Sequence, residues 1–186
     1  MVAVLLANGF EEIEALCPAD LLMRAGHDVR LISINDTEEV IGTHKIKITA
    51  DTTLSKISLT PDNTELLFLP GGMPGALNLY NDDRVKELVR LFDKNEKPIA
   101  AICAAPLVFG RLGILEGRRA TCYPSFENEL LGALLSEKAV ERDGHVVTGA
   151  GMGASFELGC TLIELLDSAE LAEKVKMSTM VDGKKL

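Results

Sequence analysis

The stretch Lys97-Pro-Ile-Ala-Ala-Ile-Cys-Ala-Ala-Pro-Leu-Val-Phe-Gly110 predicts a short strand that turns directly into a helix. Residues 98–102 form an apolar run of strand length. Residues 104–109 open a helix with Pro106 in its first turn, where a missing N–H costs nothing. Cys103 falls on the turn between the two elements. A sharp strand-to-helix turn exposes the side chain at its apex, as in a nucleophile elbow.

The residue at this turn, Cys103, has two interpretations. A thiol at the N-terminal end of a helix lies near the positive end of the helix dipole and near unpaired backbone N–H groups, and both favour the nucleophilic thiolate. Alternatively, Cys103 is one of the small apolar residues at the end of a buried strand, since free cysteines are often buried and inert. The stretch by itself leaves both interpretations open.

Length, charge and hydropathy limit the class of protein. The chain has 186 residues, of which 47% are hydrophobic and 25% charged, so we expect a single domain over residues 1–186. A net charge of −9 argues against a nucleic-acid partner, whose phosphates would be repelled. No apolar run approaches the length of a membrane span, and residues 1–7 lack the basic flank of a signal peptide. We therefore expect a cytoplasmic protein without a membrane partner.

The cysteines are scattered along the chain, with neither a C-x-x-C pair nor the spacing of metal ligands. They are Cys17, Cys103, Cys122 and Cys160. We expect free thiols, no metal site, and a packing role for the three cysteines other than Cys103.

Strands and helices alternate along most of the sequence. Residues 2–7, 28–34 and 65–69 are predicted as buried strands, and residues 45–48 as a half-exposed strand or hairpin arm. Asp143-Gly144 predicts a hairpin turn between two later strands. Helices are predicted over residues 11–25, 82–94, 126–135, 154–166 and 168–178, and residues 182–186 are predicted to fray. This alternation predicts an α/β protein with a mostly parallel sheet and helices on both faces.

Four segments leave a strand at the carboxyl edge of the predicted sheet, where ligands bind in such folds. They are residues 8–14, 70–75, 103–106 and 149–153. Glu14 could donate a hydrogen bond to the Cys103 thiolate when protonated, or act as a general base when ionised. The amides of Gly72 and Ala104 would make an oxyanion hole. The neighbouring acids Glu11 and Glu12 are interpreted as helix caps.

The histidines argue against protease-type chemistry. His27 lies between a helix and a strand, His44 begins an exposed arm, and His145 follows a hairpin turn. None of them follows a parallel strand near Cys103, as a Cys-His-acid triad would require.

Several motifs together resemble one known family. They are residues 9–14 (GFEEIE), 20–26, 69–72 (LPGG) with 75–76, 100–106 (AAICAAP) and 151–157 (GMGASFE). With these motifs the chain resembles the ThiJ/PfpI superfamily over nearly its whole length, and within it the branch of the Parkinson-disease-associated protein deglycase and its bacterial relatives. The resemblance implies a flavodoxin-like three-layer sandwich, a homodimer and no cofactor.

The resemblance also implies a site. It implies a reactive Cys103 hydrogen-bonded to a protonated Glu14, with Gly71 lining the pocket and the amides of Gly72 and Ala104 facing it. Family members are credited with cofactor-free conversion of 2-oxoaldehydes such as methylglyoxal to hydroxy acids, with removal of glycation adducts, and with redox-linked chaperone activity. Two functions follow as alternatives. One is a glyoxalase- or deglycase-type enzyme acting on a small carbonyl substrate, and the other is a non-enzymatic redox sensor or chaperone that uses oxidation of Cys103.

The sequence departs from that branch around the pocket. Tyr123-Pro124 stands where many relatives have a histidine before the proline, and a second pocket histidine expected shortly before Ser136 is missing. Ala150 replaces a residue that is often basic. The remaining polar candidates for the pocket are Arg24 and His44 of the partner subunit. Without a histidine to shuttle protons, we expect slow turnover of glyoxals.

Overall fold

The computed structural model describes residues 1–181; the tail over residues 182–186, predicted to fray, lies outside the described residues. Within residues 1–181 the strands are β1 (Val2–Leu6), β2 (Val29–Ser33), β3 (Glu39–Ile41), β4 (Lys47–Thr49), β5 (Thr52–Thr53), β6 (Leu66–Leu69), β7 (Ile99–Ile102), β8 (Arg119–Ala120), β9 (Leu134–Leu135), β10 (Val140–Asp143) and β11 (Val146–Gly149). The helices are α1 (Glu12–Arg24), α2 (Gly75–Asn81), α3 (Asp83–Lys94), α4 (Pro106–Arg111), α5 (Ser155–Leu166) and α6 (Ala169–Ser178).

The main sheet has seven strands in the order β10-β11-β7-β6-β1-β2-β5. Every neighbouring pair in it is parallel except β10 and β11, which form the predicted hairpin with Gly144 at a φ of +63°. The predicted α/β fold, with a mostly parallel sheet, is therefore confirmed. In this topology the carboxyl ends of β1, β6, β7 and β11 meet at one edge of the sheet.

Helices cover both faces of the sheet, which makes three layers. In β1, Ala3 and Leu5 point into a core formed with α2, α3 and α4, whereas Val2 and Val4 point into a second core formed with α1, α5 and α6. Because both faces are covered, the central strands are buried along their whole length and consist almost entirely of apolar residues. No helix within residues 1–181 is both long and apolar enough to cross a bilayer.

Helix α1, which carries Glu14, is held tightly against α5. A Cβ placed on Gly159 of α5 would lie 2.5 Å from Leu21 Cδ1 and 3.1 Å from Pro18 Cα of α1. Only a residue without a side chain allows this close approach of the two helices.

The helix predicted over residues 126–135 is wrong. The segment contains a 3₁₀ turn at Glu127–Glu129 and the short strand β9, which pairs with β8. Gly132, at a φ of +75°, interrupts any helix, and Leu134 and Leu135 are exposed instead of forming a buried apolar face. The sequence analysis also missed α2, a helix of seven residues that begins at Gly75 and is too short for a clear apolar period.

Candidate active site

The strand-to-helix turn predicted at Cys103 is present between β7 and α4. Cys103 has a φ of +65°, a left-handed conformation that is unusual for a residue with a side chain. Its N–H donates to the carbonyl oxygen of Gly149 at 2.8 Å, and its own carbonyl accepts from the N–H of Tyr123 at 2.8 Å. Strained residues of this kind persist where surrounding structure holds them, and they cluster at functional sites.

The four segments predicted to meet at the sheet edge do meet there. The Glu11 N–H donates to the Gly71 carbonyl at 2.9 Å, and the Gly75 N–H donates to the Gly9 carbonyl at 3.1 Å. Together with the bond from Cys103 to Gly149, these contacts join the loops that follow β1, β6, β7 and β11.

Glu14 is buried beneath this loop cluster, in the first turn of α1. Glu11 is the N-cap of the helix, and its carboxylate accepts from the Glu14 N–H at 2.7 Å. Burial raises the pKa of the Glu14 carboxyl to about 7, and the charge of Glu11 acts in the same direction, while hydrogen bonds with Cys103 and with the Gly71 N–H act against it. Near neutral pH, Glu14 is therefore able both to hold and to release a proton.

The Cys103 thiol is coupled to that carboxyl. Burial raises the pKa of Cys103, and the charge and hydrogen bond of Glu14 raise it further, to about 12; the backbone N–H groups of Gly72 and Ala104 lower it. Because the effect of Glu14 requires its ionised form, protonation of Glu14 favours the thiolate. The two groups therefore titrate as a pair. The N–H groups of Gly72 and Ala104 thus act on the sulfur, and their role as an oxyanion hole stays a prediction.

Gly71 lies against both side chains of this pair. A Cβ added at Gly71 would lie 2.5 Å from Glu14 Oε2 and 2.6 Å from Cys103 Cβ, distances too short for non-bonded atoms. The carboxyl group and the cysteine approach each other only because residue 71 has no side chain.

We expect Gly71→Ala to lower the second-order rate constant for alkylation of Cys103 roughly tenfold, because the new methyl group must displace either Cys103 or Glu14. Gly153→Ala is the matched control, since a Cβ there meets nothing within 4 Å. Iodoacetamide labelling, followed by mass spectrometry at Cys103, measures the effect. Equal rates in the two variants would contradict this account of the close approach.

Glu12 has a different role from the helix cap that was predicted. Its side chain is buried, and its carboxylate accepts from the His44 N–H at 2.8 Å, from His44 Nδ1 at 2.7 Å and from the Thr43 hydroxyl at 3.1 Å. Burial acts to raise the pKa of Glu12, but the hydrogen bonds, led by that of His44, lower it overall. Glu12 therefore anchors the turn between β3 and β4 to the start of α1.

Glu12→Gln should lower the free energy of unfolding by about 1–2 kcal/mol near pH 6, because an amide cannot accept all the bonds of this carboxylate. The lowered pKa of Glu12 means that its contribution is lost as pH falls below its ordinary value of 4.5. The raised pKa of His44 means that its contribution is complete below 6.5 and is lost at higher pH. Urea titrations at pH 3, 6 and 9 should therefore show the largest difference at pH 6. Glu164→Gln, on an exposed position of α5, is the control.

The other predicted pocket residues are more dispersed. Tyr123 is half exposed, with its ring against Gly151. Pro124 lines a neighbouring cavity of about 530 Å³. His44 binds Glu12 at the start of α1. Arg24 lies ten residues beyond Glu14, about 15 Å along α1, where it pairs with Asp20 at 2.6 Å.

Within one chain, Arg24 is therefore not brought to Cys103. Its predicted place in the pocket depends on a second copy and stays a prediction.

The three histidines all bind acids, and none of these contacts involves Cys103. His27 contacts Glu65 and Asp167, and His145 contacts Asp93 at 2.9 Å. His44 and Glu12, together with Glu11, bring three potential metal-ligand atoms within 4.8 Å of one another. The direct pairing of His44 with Glu12 accounts for this grouping.

The sequence analysis missed two contributors to the site. The main chain at Tyr123 holds the carbonyl of Cys103, and Glu12 holds the 43–44 turn. Backbone contacts of this kind leave no signal in the sequence. The pairing of Glu12 with His44 could not be predicted from the sequence either, because the two residues lie 32 positions apart.

Comparison with known proteins shows the family of this chain. The model of the DJ-1/PfpI family matches residues 1–165. This chain belongs to the DJ-1/PfpI family. Within this family it is 35% identical to the Parkinson disease protein 7 homolog of Danio rerio over 176 residues, which cover 93% of both chains.

Longer and solved members of the DJ-1/PfpI family are also similar. Identity with the protein DJ-1 homolog B of Arabidopsis thaliana is 42% over 94% of this chain, but the match spans only 40% of that longer protein. Among solved structures, oxidized DJ-1 of Toxoplasma gondii superposes with a TM-score of 0.91 at 32% identity, covering 96% of this chain and 97% of that one. DJ-1beta of Drosophila melanogaster superposes with a TM-score of 0.89 at 32% identity, covering 97% of both chains. The predicted family and branch are thus confirmed.

Proposed function

We propose that this member of the DJ-1/PfpI family converts 2-oxoaldehydes such as methylglyoxal to hydroxy acids, without a cofactor, through the Cys103–Glu14 pair. The observation that carries the proposal is the buried Glu14 carboxyl, with a pKa raised to about 7, which lies with the Cys103 side chain against Gly71, beneath a left-handed turn. A group that titrates near neutral pH is suited to move protons to and from carbon.

The first step is addition of the Cys103 sulfur to the aldehyde carbon of methylglyoxal. The carbon–sulfur bond forms as the carbonyl π bond breaks, and the negative charge moves to the oxygen. The N–H groups of Gly72 and Ala104 already face the sulfur, so an oxygen on the carbon bonded to it lies within their reach. That oxygen takes a proton from Glu14 in its protonated form, which gives a hemithioacetal and leaves Glu14 ionised.

The second step moves a proton between the two carbons. Glu14, ionised, removes the proton from the carbon bonded to sulfur and gives an enediolate, and the hydroxyl proton of that carbon moves to the oxygen of the neighbouring carbon. The same carboxyl, now protonated, returns a proton to the neighbouring carbon. The product is a lactoyl thioester, which water hydrolyses to lactate and the free thiol. The overall reaction adds one water molecule and needs no external oxidant or reductant.

The alternative is a redox sensor or chaperone in which oxidation of Cys103 to sulfinate is the functional event. The absence of a histidine contact to Cys103 within residues 1–181 favours this alternative, since no imidazole assists proton transfer there. Donation from a protonated Glu14 would stabilise a sulfinate as well as a thiolate. The two functions therefore share one site and differ in whether turnover occurs.

We further propose that the protein acts as a homodimer. Two large apolar side chains on α1, Ile13 and Met23, are 49% and 48% exposed in the single chain. They flank the outer side of the helix that carries Cys17, Asp20 and Arg24. A second copy packed there would cover them.

Lactate formation from methylglyoxal in the absence of glutathione tests the enzyme proposal. We expect lactate to accumulate in proportion to protein concentration and well above a protein-free blank. If no lactate forms while peroxide converts Cys103 to sulfinate faster than any other thiol, the enzyme is excluded and the redox sensor remains.

A further inference from the structure

Glu11 connects several parts of the candidate site. It is the N-cap of α1, and its carboxylate accepts from the Glu14 N–H at 2.7 Å. Its own N–H donates to the Gly71 carbonyl at 2.9 Å. Gly71 in turn lies against both Glu14 and Cys103. Through these two hydrogen bonds, Glu11 fixes the start of α1 relative to the loop that contacts the reactive pair.

The main chain of Glu11 also packs against Gly72. A Cβ placed on Gly72, which has a φ of +87°, would clash with the Glu11 nitrogen. The two segments approach this closely only because residue 72 has no side chain. The Gly72 N–H acts on the Cys103 sulfur, so its contact with Glu11 helps to set the position of that donor.

The carboxylate of Glu11 brings a negative charge to the same turn of the helix as Glu14. Residues three positions apart lie on one side of a helix, and Glu11 is half-buried, so water screens its charge only in part. Burial raises the pKa of Glu14 to about 7, and the charge of Glu11 acts in the same direction. Glu12 differs, because its carboxylate is paired with His44 at 2.7 Å, whereas Glu11 accepts from a neutral N–H.

The titratable groups that face these two acids come from three elements. Cys103, on the turn after β7, acts on Glu14. Glu12 on α1 and His44 on the turn between β3 and β4 bring their polar atoms within 4.8 Å of the Glu11 carboxylate. The charged group that acts on Cys103 itself is Glu14. The charge of Glu11 therefore influences the thiol through Glu14.

We propose that Glu11 is a positioning residue for the reactive pair: its hydrogen bonds place Glu14 against Gly71, and its charge keeps a proton on Glu14 near neutral pH. Protonated Glu14 does not oppose the Cys103 thiolate, so Glu11 sets the pH range in which the thiol reacts. The inference rests on the proposed function for the part that Glu14 takes in turnover. Alkylation of Cys103 tests it without turnover.

Two substitutions separate the charge of Glu11 from its role as a helix cap. Glu11→Asp and Glu11→Asn place side chains of the same shape at the N-cap, and both residue types cap helices well. The two variants therefore differ in charge. Both keep Glu12 and His44, so the ratio of their rates cancels the effects of these groups. The rate of Cys103 alkylation by iodoacetamide is followed by mass spectrometry on the full-length protein at pH 5 and pH 7.5.

We expect equal alkylation rates for the two variants at pH 5, where Glu14 is protonated in both. At pH 7.5, Glu11→Asn should react about fivefold more slowly than Glu11→Asp. Without the charge at position 11 more of Glu14 is ionised, and ionised Glu14 adds to burial in raising the pKa of the Cys103 thiol. The pH profile of lactate formation should also move to lower pH in Glu11→Asn, and Glu11→Asp should restore the profile of the unmodified protein.

The outcomes separate this inference from the proposed function. Equal rates at pH 7.5, or a difference of the same size at both pH values, would overturn the inference only, because a cap without an electrostatic role affects both variants alike. If Glu11→Asn does not fold, Glu11→Ser, a second neutral N-cap, takes its place in the comparison. Failure of the unmodified protein to form lactate, with the pH-dependent difference in alkylation intact, would overturn the enzyme and leave Glu11 as a positioning residue beside a reactive thiol. If iodoacetamide modifies Cys103 in none of the proteins, both are overturned.

Discussion

Cys103→Ser should abolish lactate formation from methylglyoxal, with a loss of at least roughly a thousandfold. The thiolate is the attacking atom in the proposed reaction. Near neutral pH a serine hydroxyl is ionised to a far smaller extent than a thiol, and its oxygen is a weaker nucleophile than sulfur. The assay is lactate formation at saturating methylglyoxal.

The control for this substitution is Cys160→Ser. Cys160 is partly exposed on α5 and is also a free thiol, so its replacement tests for a general effect of thiol loss. We expect Cys160→Ser to keep full activity. Turnover that persisted in Cys103→Ser would show that another group carries the reaction.

Glu14→Gln should lower kcat/KM for methylglyoxal about a hundredfold, because glutamine keeps the shape of the side chain but cannot accept the proton from carbon. The same change should make Cys103 more reactive toward iodoacetamide above pH 7. In the unmodified protein the ionised Glu14 raises the pKa of the thiol, and a neutral amide removes that charge. Slower turnover together with faster alkylation is the expected signature.

The pH dependence of alkylation measures the effect of the Glu14 charge on Cys103 separately from the loss of the proton acceptor. In the unmodified protein, ionisation of Glu14 near pH 7 opposes the thiolate, so the alkylation rate should not follow a single titration. In Glu14→Gln it should follow one thiol titration, shifted to lower pH. Glu157→Gln, exposed on α5, is the matched control. A parallel loss of alkylation and turnover in Glu14→Gln would instead indicate that Glu14 only maintains the position of Cys103.

Much of the fold could be predicted because its elements are encoded locally. The run over residues 98–102 predicts β7, and the spacing of Val85, Val89 and Phe92 predicts α3, whose buried face these residues form. The helix predicted over residues 126–135 is wrong because the structure of this segment depends on its pairing with another segment. Of its leucines only Leu130 is buried, so no apolar helix face forms, and β9 exists because β8 is available to pair with it.

The features of the site fall into the same two groups, those predicted from local sequence and those set by packing. Three features could be predicted because each depends on a contiguous motif: Cys103 lies on a strand-to-helix turn, Glu14 begins a helix at the same sheet edge, and the chain resembles its family. The tertiary structure was needed to show that Gly71 lies against both Glu14 and Cys103, and that Arg24 is not brought to Cys103 within one chain. It was also needed to show the cavity that Pro124 lines. These features depend on distances between segments far apart in the chain, and such distances are set by packing.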